Sequence, residues 1–99
     1  MIRHVVMFRF HDHVTADDVA EFGAGLSAMV PNVPGIVAYQ HGPDVGVNAG
    51  NHDYVVTADF ATIDDYTIYR DHPAHRAVIE RFTGPLVAGR AAVQFDLEG

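Results

Sequence analysis

Ile2-Arg3-His4-Val5-Val6-Met7-Phe8-Arg9-Phe10 alternates on a period of two, the spacing of a β-strand whose successive side chains point to opposite faces. His4, Val6, Phe8 and Phe10 share one face; Arg3, Val5, Met7 and Arg9 share the other. The even face is apolar apart from His4, so it is expected beneath a covering layer. A turn at His11-Asp12-His13 follows. Thr15, with Asp18 three residues on, then has the pattern of a capping box that opens a helix. Val19, Phe22, Leu26, Met29 and Val30 recur at helical spacing, and Pro31 ends the run. Gly23 and Gly25 inside this helix each cost about 1 kcal/mol relative to Ala. Their presence predicts close packing, or space kept open beside the helix.

Working outward, Gly35 to His41 is a second strand, and the Gly- and Asn-rich stretch from Val45 to Asn51 is a loop. Asp53 to Phe60 is a third strand, with Tyr54, Val56, Ala58 and Phe60 on one face. Thr62 and Asp65 repeat the capping signal and open a helix through Tyr66 and Tyr69, interrupted at Pro73. From Pro73 a further helix carries His75, Val78, Ile79 and Phe82 on one face by their spacing. Gly84-Pro85 breaks it, and Ala91 to Leu97 is the last strand. The order β-α-β-β-α-β predicts one α+β domain over residues 1–99. It is ferredoxin-like, with the helices on one side of an antiparallel sheet. The other face keeps Val5, Met7, Val37, Tyr39 and Val55, and no element remains to cover it. A second copy in a two-fold homodimer is the simplest cover, with Arg3, Arg9, Asp59 and Asp96 placed to pair across the interface.

Composition narrows the function classes. Thirteen Asp and Glu stand against six Arg, there is no Lys, and the net charge is -7. An acidic chain without a basic cluster argues against nucleic acid and against anionic membrane surfaces. A small anionic substrate stays open, because one local group can outweigh the overall charge. Cysteine is absent, which removes disulfides, thiolate nucleophiles and zinc–sulfur sites. No apolar run approaches the roughly 20 residues that span a bilayer, and the expected location is cytoplasmic.

Seven histidines call for an accounting. His11, His13, His41 and His52 read as solvated loop residues. His72 and His75 are three apart, a chelating interval, but His72 falls at a helix cap and no third ligand is near in sequence. His75 lies on the inward face of its helix. It is either a neutral core histidine or a general base in a pocket, since imidazole titrates near neutrality. Tyr69 is placed to hold that ring or to donate to a developing oxyanion. His4 and Tyr54 begin matching faces of two strands and could line one end of the same cavity.

Strand one, the turn Gly42-Pro43-Asp44-Val45, and the block Tyr69-Arg70-Asp71-His72-Pro73-Ala74-His75 resemble the Dabb family of stress-responsive α/β-barrel domains. The resemblance runs to Ala92-Val93-Gln94-Phe95-Asp96 and implies a dimeric α+β barrel. The family includes plant olivetolic acid cyclase, a cofactor-free aldol cyclase. Similarity to it implies that His75 and Tyr69 are catalytic, with His4 in the pocket. Tyr54 stands where that enzyme has a histidine, Leu26 where it has a tyrosine, and Gly23 where it has an aromatic. The expected pocket, walled by His4, Phe22, Leu26, Tyr54 and Phe82, would take a small apolar carbonyl or phenolic ligand. No cofactor is implied. A structural Mg²⁺ or other cation is, on the backbone carbonyls of Val30, Val33 and Ile36. Three functions remain open: a polyketide-cyclase-like lyase or isomerase, a non-catalytic stress-responsive or ligand-binding dimer, and a monooxygenase whose substrate supplies the reactivity.

Overall fold

The computed structural model describes residues 1–97. Strand β1 (Ile2–Phe10) is followed by α1 (Ala16–Met29), a 3₁₀ turn (Val30–Asn32), β2 (Ile36–Pro43) and β3 (Tyr54–Phe60). Helix α2 (Ile63–Asp71) leads into α3 (Pro73–Val78), which continues as a π-turn (Ile79–Thr83) and a last helical turn (Gly84–Leu86), and β4 (Val87–Asp96) closes the fold. The sheet has the order β2-β3-β1-β4, and each neighbouring pair is antiparallel. This is the ferredoxin-like α+β arrangement expected from the sequence.

The helix starts follow local chemistry. Thr15 Oγ1 accepts the Asp18 N–H at 3.2 Å while Asp18 Oδ2 accepts the Thr15 N–H at 2.9 Å, a complete capping box. Thr62 Oγ1 accepts the Asp65 N–H at 3.1 Å and starts α2 in the same way. His72 caps α3, its Nδ1 accepting the Ala74 N–H at 3.1 Å, and Pro73 occupies the first turn where its missing N–H costs nothing. Gly84-Pro85, expected from the sequence to break the helix, does not break it. The chain turns on to Leu86, helped by a 2.6 Å hydrogen bond from Thr83 Oγ1 to the Ile79 carbonyl.

Val6, Phe8, Phe22, Leu26, Tyr54, Val56 and Phe82 form one buried cluster, and Met29, Val33, Ala58, Phe60 and Tyr69 form another. Each large apolar side chain buried there contributes about 1.5–3 kcal/mol. Gly25 is explained by this packing: a Cβ on it would stand 2.5 Å from the Phe82 ring, so the glycine lets the ring pass beneath α1.

Two β-bulges change which side chains face the helices. In β2, Ile36 pairs with Phe60 but Ala38 pairs with Asp59, so Val37 is the extra residue. From there on the facing is reversed. Tyr39, opposite Ala58, points inward, contrary to its expected place on the open face, and His41 follows it. In β4 the pairs Phe10 with Val87 and Arg9 with Gly89 leave Ala88 as the extra residue. The strand therefore begins four residues before the expected Ala91. The open face carries Val5, Met7, Val37, Val55, Val93 and Phe95, with Val37 and Val93 each 57% exposed. Arg3 and Asp59, expected to pair across an interface, instead pair within the chain through two hydrogen bonds of 2.8 and 2.9 Å. The guanidinium holds the Asp59 carboxyl below the usual carboxylate range.

Candidate active site

Between the helices and the inner face of the sheet lies a cavity of about 590 Å³, within the size range of small-molecule sites. His4, Phe22, Leu26, Tyr69 and His75 of the expected set all line it. Tyr54 and Phe82 do not: both pack against Phe22 in the solid part of the layer. Tyr54 is drawn away by His41, whose Nδ1 shares a 2.7 Å hydrogen bond with the Tyr54 hydroxyl. His41 is no solvated loop residue, for its Nε2 also bonds Ser27 Oγ at 2.9 Å. Tyr39 and Arg90 line the cavity as well. Strand parity missed Tyr39 because of the bulge at Val37, and no motif marked Arg90.

A break between two helices creates the central pair. In one unbroken helix, residues six apart would lie about 120° apart around the axis. His72 instead adopts an extended conformation (φ -64°, ψ 137°), as expected for the residue before a proline. The reversal returns His75 over Tyr69, and their ring centroids are 4.2 Å apart. His75 Nδ1 lies 3.0 Å from the Arg70 carbonyl. A carbonyl only accepts, so the neutral ring keeps its proton on Nδ1 and leaves the Nε2 lone pair free. Burial pushes the His75 pKa down, against the upward pull of the Arg70 carbonyl; Arg76, Arg90 and His72 push it further down.

His4 has the complementary arrangement. The Gln94 side-chain amide donates to His4 Nδ1 at 2.8 Å, which leaves its proton on Nε2. Burial, with Arg90 and His75 adding to it, pushes its pKa down to about 4. Two neutral imidazoles thus border one cavity, one with a free acceptor nitrogen and one with a free N–H. The Tyr69 and Tyr39 hydroxyls are 3.2 Å apart. Burial pushes both phenols up, so both stay protonated. The arrangement can remove a proton from carbon and surround the resulting oxyanion with donors.

Among the described residues, no three His, Cys, Asp or Glu side chains come together as a metal centre. His72 is committed to its cap, and His11 and His13 stack on each other in the turn. The Val30 carbonyl accepts the Val33 N–H at 3.2 Å within the 3₁₀ turn, and a carbonyl has a second lone pair. Among the described residues, no helix is long and apolar enough to cross a membrane.

Known structures share this fold closely. A dimeric ferredoxin-like protein of unknown function from Thermobifida fusca is 42% identical over 97% of this chain and 90% of its own, with a TM-score of 0.90. A Dabb family protein from Mesorhizobium loti is 20% identical over 99% and 97% of the two chains, with a TM-score of 0.82. The hydroxynitrile lyase of Passiflora edulis is 14% identical over 95% and 90%, also with a TM-score of 0.82. At such low identities the last two show the fold alone. No curated protein sequence matches the chain. The model of the Dabb, or stress responsive A/B barrel, domain matches residues 2–97, and the chain belongs to that family.

Proposed function

We propose that the protein is a homodimeric, cofactor-free lyase or isomerase acting on a small carbonyl compound, with His75 as general base. The observation that carries this is the pair of oppositely arranged neutral histidines on one cavity. His75 Nε2 takes a proton from the carbon between two carbonyls. The carbanion attacks a distal ketone of the same molecule and forms the new C–C bond. The alkoxide then takes the proton back from His75, and loss of water gives the conjugated ring. His4 Nε2–H and the Tyr69 hydroxyl donate to the enolate and alkoxide oxygens, where fixed donors are worth most. Every group in this sequence of steps belongs to the chain.

The test is a linear poly-β-keto thioester followed by the absorbance of the cyclised aromatic product. Wild-type protein should accelerate cyclisation, and His75→Ala should lose about 10²- to 10⁴-fold, the usual worth of a positioned acid–base group. Tyr69→Phe should cost less, because the ring that stacks on His75 is kept. The mainly apolar lining also suits a ligand-binding dimer without chemistry. Tight binding that His75→Ala leaves unchanged, with no turnover to lose, would establish that reading instead.

Dimerisation is supported by the exposed apolar sheet face and by the dimeric state of the Thermobifida fusca relative. Met7→Asp should dissociate and destabilise the protein together, and a folded wild-type monomer at micromolar concentration in sedimentation would refute the dimer. The structural cation implied by the family would sit on the carbonyls of Val30, Val33 and Ile36. Hard oxygen donors suit Mg²⁺ or Ca²⁺. Asp65 supplies a carboxylate near this turn, since a Cβ on Gly35 would meet its Oδ1 at 3.3 Å. Millimolar Mg²⁺ should then raise the melting temperature.

A further inference from the structure

The protein is acidic, yet its cavity is not. Thirteen carboxylate residues stand in the sequence, and none of those among the described residues lines the cavity; Arg70 and Arg90 do. The two arginines differ in one respect. Arg70 is chelated by Asp71 through hydrogen bonds of 2.9 and 3.0 Å. The Arg90 side chain has no hydrogen bond or ion pair with any described residue; it is exposed, and it borders the cavity because β4 places it opposite Phe8 on the inner face. Its charge helps to push down the pKa of His4 and of His75 alike, and all three border the same cavity.

We propose that Arg90 is the anchor for a carboxylate on the substrate, so the cavity takes a small keto acid, with its apolar end among Phe22, Leu26 and Val56. This deepens the proposed function and rests on it for the chemistry, but not for the binding. A planar guanidinium matches a carboxylate with two parallel hydrogen bonds. The anchored charge also explains how a chain of net charge -7 admits an anion. The potential that counts is the local one at the cavity, where the described lining carries positive charge and no negative charge.

The experiment compares 3-benzoylpropionate with its methyl ester, two probes of nearly equal shape that differ in charge. Binding is measured by calorimetry. Wild-type protein should prefer the acid, and Arg90→Gln should weaken acid binding about 10- to 100-fold, the range for hydrogen bonds to charged groups, while leaving the ester within twofold. Arg90→Lys should recover part of the loss, since it restores charge without the planar fork. Equal affinity for acid and ester, equal weakening of both by Arg90→Gln, or binding of neither probe below millimolar concentration overturns the anchor. Deuterium exchange at the carbon beside the ketone, followed by NMR in the same samples, reads the chemistry separately. Acid binding that depends on Arg90 without exchange that depends on His75 leaves the anchor standing and removes the general base.

Discussion

Beneath α1, Phe82 and Tyr54 fill the room that Gly25 and Gly23 leave, whereas beneath α2 and α3 Tyr69 and His75 border room that no side chain fills. Both halves belong to one layer on one sheet, and both are rich in aromatic rings. They differ in the path of the covering helix. Helix α1 is regular and comes close at its glycines, so the layer is filled there, and only its Phe22 and Leu26 reach the edge of the cavity. The second covering segment is broken at His72 and loosened by the π-turn, and Ile79, Thr83 and Gly84 of that loosened stretch line the cavity. Irregular helix is where this protein keeps space, as π-turns often do at functional sites.

Substitution of one residue from each half tests this contrast most strongly. His75→Ala should remove turnover by about 10²- to 10⁴-fold while the melting temperature moves little, because the ring borders a cavity. Phe82→Ala should cost about 3–5 kcal/mol in urea unfolding, because a fully packed ring leaves a void. If both variants lose stability alike, the two halves are equally solid and the contrast is wrong.

Acid should act mainly through the hollow half. His4 titrates at about 4 in the folded protein against an ordinary 6.5, so the unfolded chain takes up the proton first as pH falls. Its contribution is full above about pH 6.5 and is lost between there and about 4. Moving from pH 7 to 5 should cost about 2 kcal/mol. The His75 shift has the same sign. Urea midpoints at the two pH values check this, and His4→Gln should flatten the difference. The same lowering of His75 should place the acid limb of any pH–rate profile below the ordinary imidazole range.

Smaller effects sharpen the packed side. Gly25→Ala gains about 1 kcal/mol of helix propensity, but its methyl would meet the Phe82 ring at 2.5 Å, an overpacking that costs about 1–3 kcal/mol. The net expectation is a loss of about 1 kcal/mol. Gly23→Ala meets the Tyr54 hydroxyl at 3.0 Å and the His41 ring at an ordinary 3.6 Å, and with the same gain in propensity should be close to neutral. Thermal unfolding of the two variants side by side would show whether the approach of α1 is tight at one glycine or at both.

Much of this architecture is legible in the chain. Strict alternation from Ile2 to Phe10 marks β1, the Thr15–Asp18 and Thr62–Asp65 pairs mark two helix starts, and Pro73 marks the break that brings His75 to Tyr69. Parity fails wherever a strand gains a residue. Ile36-Val37-Ala38-Tyr39 has no turn residue and no glycine to announce the bulge, so Tyr39 was expected on the open face and His41 in solvent. Arg90 escaped because a lone arginine in a Gly- and Ala-containing stretch has no periodic signature. Its meaning comes from a cavity on which, among the described residues, no acid lies, and only the folded arrangement brings that out. Phe82 and Tyr54 do share the inner layer with His75, as their spacing predicts, but spacing cannot tell a filled part of a layer from an empty one.

The extra residue at Val37 works on β2 as a leap day works on a calendar: it takes up one surplus count so that everything after it stays in step. Counted strictly by twos from Ile36, Tyr39 and His41 would fall on the open face. Because Val37 takes no place in the ladder, Ala38 pairs with Asp59 and Tyr39 with Ala58. Deleting Val37 would straighten the strand and leave Tyr39 and His41 facing the helices. Drawing Val37 into the ladder would do the opposite, turning Ala38 and Gln40 inward and taking from the cavity the hydroxyl beside Tyr69. The wall of this cavity is therefore set by where the surplus residue is absorbed, as much as by which residues the strand contains.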